Sequence, residues 1–144
     1  MKIFADTNIL LDVLVERQPF YNTSAQIWTL AESGQIKACI STISFNNTYY
    51  VIRKLQGKAT AQKVSQLLRD VFIPIPPANQ VLFQAIDAEV DDFEDALQFH
   101  SALANGCNCL VSRDPDGFPP GPIPILSPVE FVAYYASRIK QKST

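Results

Sequence analysis

The acidic side chains are the residues of this chain whose types and spacing could do chemistry. Six of the fourteen Asp and Glu residues fall in one run, Asp87-Ala88-Glu89-Val90-Asp91-Asp92-Phe93-Glu94-Asp95. Two more aspartates, Asp6 and Asp114, come directly after short apolar runs, Ile3-Phe4-Ala5 and Cys109-Leu110-Val111, the second with only Ser112 and Arg113 between. Asp92 and Asp95 are three apart and Asp91 and Asp95 four apart, so on a helix each pair shares a face. For Asp92 a plain structural role is at hand, as an N-cap, with Glu94 and Asp95 complementing the helix dipole. Asp95 is harder to dismiss. Ala96, Leu97, Ala102 and Leu103 mark its helix as largely buried, and a buried aspartate needs a partner or a metal. Gathered carboxylates repel one another unless a cation neutralises them. With no cysteine or histidine in the set, oxygen-only ligation suits Mg²⁺ or Mn²⁺. Such ions suit phosphodiester hydrolysis, where they activate water and stabilise the attacking and leaving oxygens.

Other chemistries fit poorly. The one histidine, His100, cannot support a histidine-pair mechanism and reads as a helix-surface residue. No Gly-x-x-x-x-Gly-Lys or Gly-x-Gly-x-x-Gly run is present to cradle a nucleotide. Cys39, Cys107 and Cys109 are odd in number and lie in apolar stretches, as expected of buried thiols in a reducing cytoplasm. Cys107 and Cys109 alternate across a strand, so they face opposite ways and do not share a metal. The net charge of −2 lacks the basic balance usual for nucleic-acid binders, but it includes an acid cluster set apart from the rest. A phosphorelay receiver would need an aspartate ending the third strand. An aspartyl-phosphate phosphatase would need one two residues after Asp6, where Asn8 stands.

The elements that must position these acids can be read from periodicity and punctuation. Strands are expected at 2–5, 37–41, 72–75, 109–112 and 123–126, the last at a sheet edge because of Pro124. Helices are expected at 9–16, from caps at Asn22, Thr23 or Ser24 to about 33, and at 43–56, 60–71, 79–88 and 93–104. A last helix opens on Ser127-Pro128-Val129-Glu130. Residues 115–122 form a Pro/Gly loop. Trp28 is expected in the core. Strands alternating with helices imply a three-layer α/β/α sandwich around a parallel sheet of four to five strands. In such sheets the site forms beyond the carboxyl ends of the strands, and Asp6 and Asp114 both follow strands there. With 47% hydrophobic and 18% charged residues, we expect one folded domain over 1–137 and a polar tail at 138–144 that frays. No apolar run approaches the roughly 20 residues of a membrane span, and the first residues lack a signal peptide. A cytoplasmic protein is expected.

Several segments in order resemble one family. Asp6-Thr7-Asn8-Ile9-Leu10-Leu11-Asp12-Val13-Leu14 resembles the opening of PIN-domain nucleases. Phe93-Glu94-Asp95-Ala96-Leu97-Gln98 and Leu110-Val111-Ser112-Arg113-Asp114 resemble their third and fourth acidic motifs. Ile123-Pro124-Ile125-Leu126-Ser127-Pro128-Val129-Glu130-Phe131 is similar to the close of a bacterial branch. The resemblance spans nearly the whole chain. It implies a divalent-metal endoribonuclease using Mg²⁺ or Mn²⁺, often the toxin of a toxin–antitoxin pair, neutralised by a small antitoxin protein and frequently a homodimer. By the same resemblance Asp6, Asp95 and Asp114 bind metal, while Thr7 or Asn8 and Ser112 position ligands or water. Many members carry a glutamate in the helix after strand two, where this chain has Asn47, which offers one neutral oxygen. Asp92 or Asp116 would then supply the missing charge. The competing function is a PIN fold with weakened catalysis, acting as a binding or regulatory protein. Arg53, Lys54 and Arg113 are the candidate contacts to RNA phosphates.

Overall fold

In the computed structural model, which describes residues 1–142, five short strands alternate with helices. The strands are β1 (Lys2–Ala5), β2 (Lys37–Ser41), β3 (Ile73–Ile75), β4 (Cys109–Val111) and β5 (Ile125–Leu126). All pair in parallel, in the order β3-β2-β1-β4-β5. The helices are α1 (Thr7–Leu14), α2 (Tyr21–Glu32), α3 (Thr42–Gln56), α4 (Lys58–Val71), α5 (Asn79–Asp87), α6 (Phe93–Ala104) and α7 (Pro128–Lys142).

The inner strands are apolar on both faces because helices cover both. Ile3 and Ala5, Ala38 and Ile40, and Cys109 and Val111 pack with Ile9, Leu10, Ile27, Trp28, Leu68 and Phe131, from α1, α2, α4 and α7. The residues between them, Phe4, Cys39 and Leu110, pack against Phe99 and Ala102 of α6 and against Phe118. The α5 helix lies outside α6, through Val81, Ala85, Ala96 and Leu97. The expected α/β/α sandwich is therefore present, with five strands. Trp28 is core, edge-on to Phe72 at 4.9 Å. Cys107 and Cys109 fall on opposite sides of the sheet, and all three thiols are free and buried.

The edges carry the prolines. Pro74 lies within β3 at one edge, and Pro124 directly precedes β5 at the other. Proline has no N–H to give a neighbouring strand, so an edge is where it fits. The Pro124 carbonyl still accepts from Leu110 N at 3.1 Å. The regular strand is confined to Ile125–Leu126, shorter than expected.

Three local expectations need correction. The N-cap of α2 is Phe20, and Ser24 lies buried inside the helix. A turn closed by Phe20 N and Tyr21 N on the Arg17 carbonyl (3.1 and 2.8 Å) starts the helix without a side-chain cap. The Pro/Gly loop contains a 3₁₀ turn at Pro115–Gly117, since proline suits a helical first position where no N–H is needed. The tail expected to fray from 138 is helical through Lys142. Tyr135 stacks on Phe131 and reaches Gln35 Oε1 at 3.3 Å, while Arg138 donates to Tyr134 one turn back at 2.9 Å. Lys140 and Lys142 then sit where the helix dipole is negative. Residues 143 and 144 of that tail lie outside the described residues.

One topological feature positions the site. The chain moves outward from β1 to β2 and β3, then returns to place β4 on the other side of β1. Connections leave the carboxyl ends of β1 and β4 in opposite senses, and a crevice opens between them.

Candidate active site

Asp6 stands at this crevice. Its backbone N–H continues the ladder from β1 to Val111 O at 3.0 Å. It occupies the N-cap position of α1, yet its side chain makes no capping bond there. The carboxylate turns instead to β4's loop, where Oδ2 accepts from Ser112 Oγ at 2.9 Å. The same Ser112 oxygen accepts from Asp114 N at 3.1 Å. One buried hydroxyl therefore ties the loop after β1 to the loop after β4.

Asp95 arrives from the α6 side. Its helix starts at the same sheet edge, and Asp92 caps it by accepting from Asp95 N at 3.1 Å. The plain structural role foreseen for Asp92 is thus filled. The 3₁₀ turn after Asp114 folds Gly117 against both acids. A Cβ at Gly117 would stand 3.2 Å from Asp95 Oδ2 and 3.5 Å from Asp114 Oδ2. Glycine keeps open a space that both carboxylates border. That space belongs to a cleft of about 450 Å³ lined by Asp92, Asp95, Asp114, Asp116, Gly117 and Phe118 among others.

The electrostatics follow from this crowding. Burial, then the charges of Asp6, Asp92, Glu94 and Asp114, push Asp95 up to about 7 from an ordinary 3.8. Asp6 is also raised by burial, against hydrogen bonds from Ser112, Gln98 and the Thr7 backbone that favour its ionised form. Repulsion of this kind is relieved by a cation, and the donor set is all oxygen, which fits a hard divalent ion. A shared ion would need Asp6, Asp95 and Asp114 drawn together around it. Among the described residues, however, no group of three or more acidic, histidine or cysteine side chains is gathered closely enough to hold an ion as it stands. Asp6 is engaged by Ser112 and Gln98, while Asp95 and Asp114 meet at Gly117.

The other supporting residues lie around these acids. Thr7, buried at the start of α1, shares a 2.7 Å hydrogen bond with Ser44 Oγ and donates to Glu94 Oε1 at 3.3 Å. Asn8 is half-buried in the same turn. Asn47 donates from Nδ2 to Glu94 Oε1 at 3.1 Å. Arg113 is engaged within the fold: it meets the wholly buried Asp12 at 3.0 Å and lies over the Phe20 ring at 4.4 Å. Arg53 and Lys54 occupy the exposed last turn of α3, about 9 Å of helical rise beyond Asn47. Sequence reading did not single out the pair Glu94 and Gln98, joined at 3.3 Å. The signal was their spacing of four, with Gln98 a polar residue on the buried side of α6.

The PIN domain family profile matches residues 2–116. Over 135 residues the chain is 27% identical to Ribonuclease VapC1 of Aquifex aeolicus (strain VF5), covering 90% of this chain and 92% of that one. Its fold is similar to DNA-bound VapBC from Salmonella typhimurium, with TM-score 0.67, 20% identity, and 89% and 98% of the two chains covered. It is also similar to VapC20 of Mycobacterium tuberculosis, described as a sarcin–ricin-loop-cleaving toxin. There the TM-score is 0.62 at 16% identity, over 75% and 86% of the chains. Among the described residues no helix is long and apolar enough to cross a membrane. With the profile spanning most of its length and a five-stranded parallel sheet of the same fold, the chain belongs to the PIN-domain family.

Proposed function

We propose that this protein is a divalent-metal-dependent endoribonuclease that hydrolyses RNA phosphodiester bonds, folded as a single PIN unit, and that it is the toxin of a toxin–antitoxin pair. The observation that carries this reading is that Asp95, half-buried at the start of α6, meets Asp114 across the space at Gly117. Burial and four acidic neighbours from the ends of β1, β4 and α6 raise it to about 7. Asp6, Asp95 and Asp114 are the catalytic and metal-binding set, with Asp92 and Asp116 bordering the same cleft. The oxygen-only donors are of the kind that suits Mg²⁺ or Mn²⁺, and the space at Gly117 leaves room between Asp95 and Asp114 for the acids to close on an ion. Bound there, the ion would lower the pKa of a water and offset charge on the phosphate.

The chain's own residues prepare that site. Ser112 holds Asp6 and fixes the start of the Asp114 turn with one hydroxyl. Asp92 holds the first turn of α6, so that Asp95 faces the cleft. Without a cation Asp95 keeps its proton to near neutrality, and it gives that proton up when its neighbours' charge is offset. The acid surface would repel RNA unless a cation lies between, which makes cleavage depend on metal.

Relatives from toxin–antitoxin complexes support an antitoxin protein as partner, alongside RNA as substrate, and a homodimer is carried forward with them. We place the protein in the cytoplasm, where its three free thiols would stay reduced. The test is cleavage of a mixed RNA panel by purified protein with Mg²⁺, with Mn²⁺ and with chelator, beside Asp95→Asn. Cleavage that survives chelation, or that Asp95→Asn leaves intact, would overturn the assignment. Sedimentation of the purified chain checks the dimer.

A further inference from the structure

Glu94 occupies the first turn of α6, where an acid needs only the helix dipole to account for it. Its surroundings ask for more. Oε1 accepts from side chains on three helices: Asn47 Nδ2 of α3 at 3.1 Å, Gln98 Nε2 of α6 itself at 3.3 Å, and Thr7 Oγ1 of α1 at 3.3 Å. A carboxylate serving the dipole alone would lie free in solvent, but Glu94 is half-buried. All three bonds fall on one oxygen, and Oε2 takes none of them. The charge also reaches the site, since Glu94 is among the neighbours that raise Asp95.

Gln98 provides an independent sign of a ligand. Its amide also hydrogen-bonds Asp6, so it links the two carboxylates. The side chain is only 2% exposed, and its Oε1 has no hydrogen-bond partner. A buried acceptor left unmatched beside two carboxylates is costly, and a cation or the water it carries would satisfy it.

Asn47 stands on α3 where many PIN domains carry a glutamate. A carboxylate can only accept here, so the amide must present nitrogen and not oxygen. Asn47 is thus a donor that holds Glu94. Asp92 is committed to capping α6, and Asp116 is exposed on the 3₁₀ turn. Neither fills the place beside Asn47.

The geometry points to Glu94 as the fourth carboxylate of the metal site, supplied from α6 in place of the α3 glutamate, with Asn47 as the residue that positions it. This rests on the metal-dependent reading of the same site. On this assignment the site keeps four carboxylates, the fourth one hydrogen bond away from position 47.

The test is a charge exchange across that bond. Mn²⁺ binding is measured by titration calorimetry for the parent, Glu94→Gln, Asn47→Glu, and the double variant Asn47→Glu/Glu94→Gln, with RNA cleavage at limiting Mg²⁺ as a second readout. Glu94→Gln keeps size and shape and should weaken Mn²⁺ binding by about tenfold or more. Asn47→Glu sets two carboxylates together, so it should weaken binding and not restore it. The double variant returns the charge to α3 and should recover to within about threefold of the parent. If Asn47→Glu does not fold, Asn47→Ala reads the same link and should weaken Mn²⁺ binding with no change in charge. Parent-like Mn²⁺ affinity in Glu94→Gln, beside a loss in Asp95→Asn, overturns the role of Glu94 and leaves the nuclease reading standing. A double variant no better than Glu94→Gln overturns the exchange. A parent that neither binds Mn²⁺ nor cleaves RNA overturns both readings.

Discussion

Ser112 donates to Asp6 across the crevice between β1 and β4, at 2.9 Å, from a hydroxyl that is itself held by the Asp114 N–H at 3.1 Å. Both oxygens are buried. The bond sets the aim of one site aspartate and the start of the turn that carries another. Ser112→Ala would leave Asp6 Oδ2 and Asp114 N without this partner, which should destabilise the protein by about 1–3 kcal/mol. Mn²⁺ affinity should fall by roughly 10–100-fold, as for other residues that orient ligands. Ser112→Thr keeps the hydroxyl and should lose much less. Calorimetry of the two variants decides it, and equal affinities would mean the bond does not orient the site.

Stability should depend on pH with a sign opposite to the usual one for a carboxylate. Asp95 titrates near 7 in the native state against 3.8 in the ordinary case, and Asp6 and Asp12 are shifted the same way. Between those values the native chain holds more protons than the unfolded chain, so stability falls as pH rises. The metal-free protein should therefore have a higher urea midpoint at pH 5 than at pH 8. Mn²⁺ should stabilise it increasingly over the same window, since the ion requires the ionised acids. A metal-free midpoint that climbs from pH 5 to pH 8 would contradict the crowding argument.

Arg113 is expected to matter for folding and not for RNA contact. Asp12 is buried completely, with Arg113 at 3.0 Å and Arg17 at 3.9 Å as its counter-charges. Burial still raises Asp12 above its ordinary value despite both arginines. Arg113→Ala should cost roughly 3 kcal/mol by leaving that charge poorly paired, whereas Arg113→Met with Asp12→Leu should cost less. Urea unfolding measures this. The salt dependence of RNA binding should be unchanged in Arg113→Ala. A slope reduced by about one would show a phosphate contact instead.

The glycines near the cleft should separate site from scaffold. Gly117→Val places a branched side chain where Asp95 and Asp114 already approach, on an exposed turn that can shift. It should weaken Mn²⁺ binding with little change in melting. A Cβ at Gly121 would stand 2.3 Å from the Phe99 ring in the core, so Gly121→Ala should lose about 1–3 kcal/mol. Melting and Mn²⁺ titration of the two proteins should give opposite patterns.

Much of the frame could be read from local pattern, because local physics sets it. The apolar runs at Ile3-Phe4-Ala5 and Cys109-Leu110-Val111 are strands buried on both faces, and the acids that follow them must project at one edge of a parallel sheet. Asp92 before an apolar helix is a cap wherever that helix packs. The edge position of Pro124 follows from a missing N–H. The α2 start and the helical tail were misread for one reason: backbone turns and tertiary contacts, not side-chain caps or polarity, settled them.

The sequence by itself determined the α/β order, the strand-end aspartates and the absence of histidine or cysteine from the acid set, since these depend on residue type and periodicity. Only the tertiary structure decided which polar groups meet. Asn47 and Glu94 are far apart in the chain, as are Arg113 and Asp12, and spacing along one helix says nothing about a partner on another. An amide can give or accept, and a charge can be relocated between helices at no change in composition. The direction of the Asn47 bond became fixed only when α3 and α6 were brought to the same edge, with a carboxylate on one side and a donor on the other.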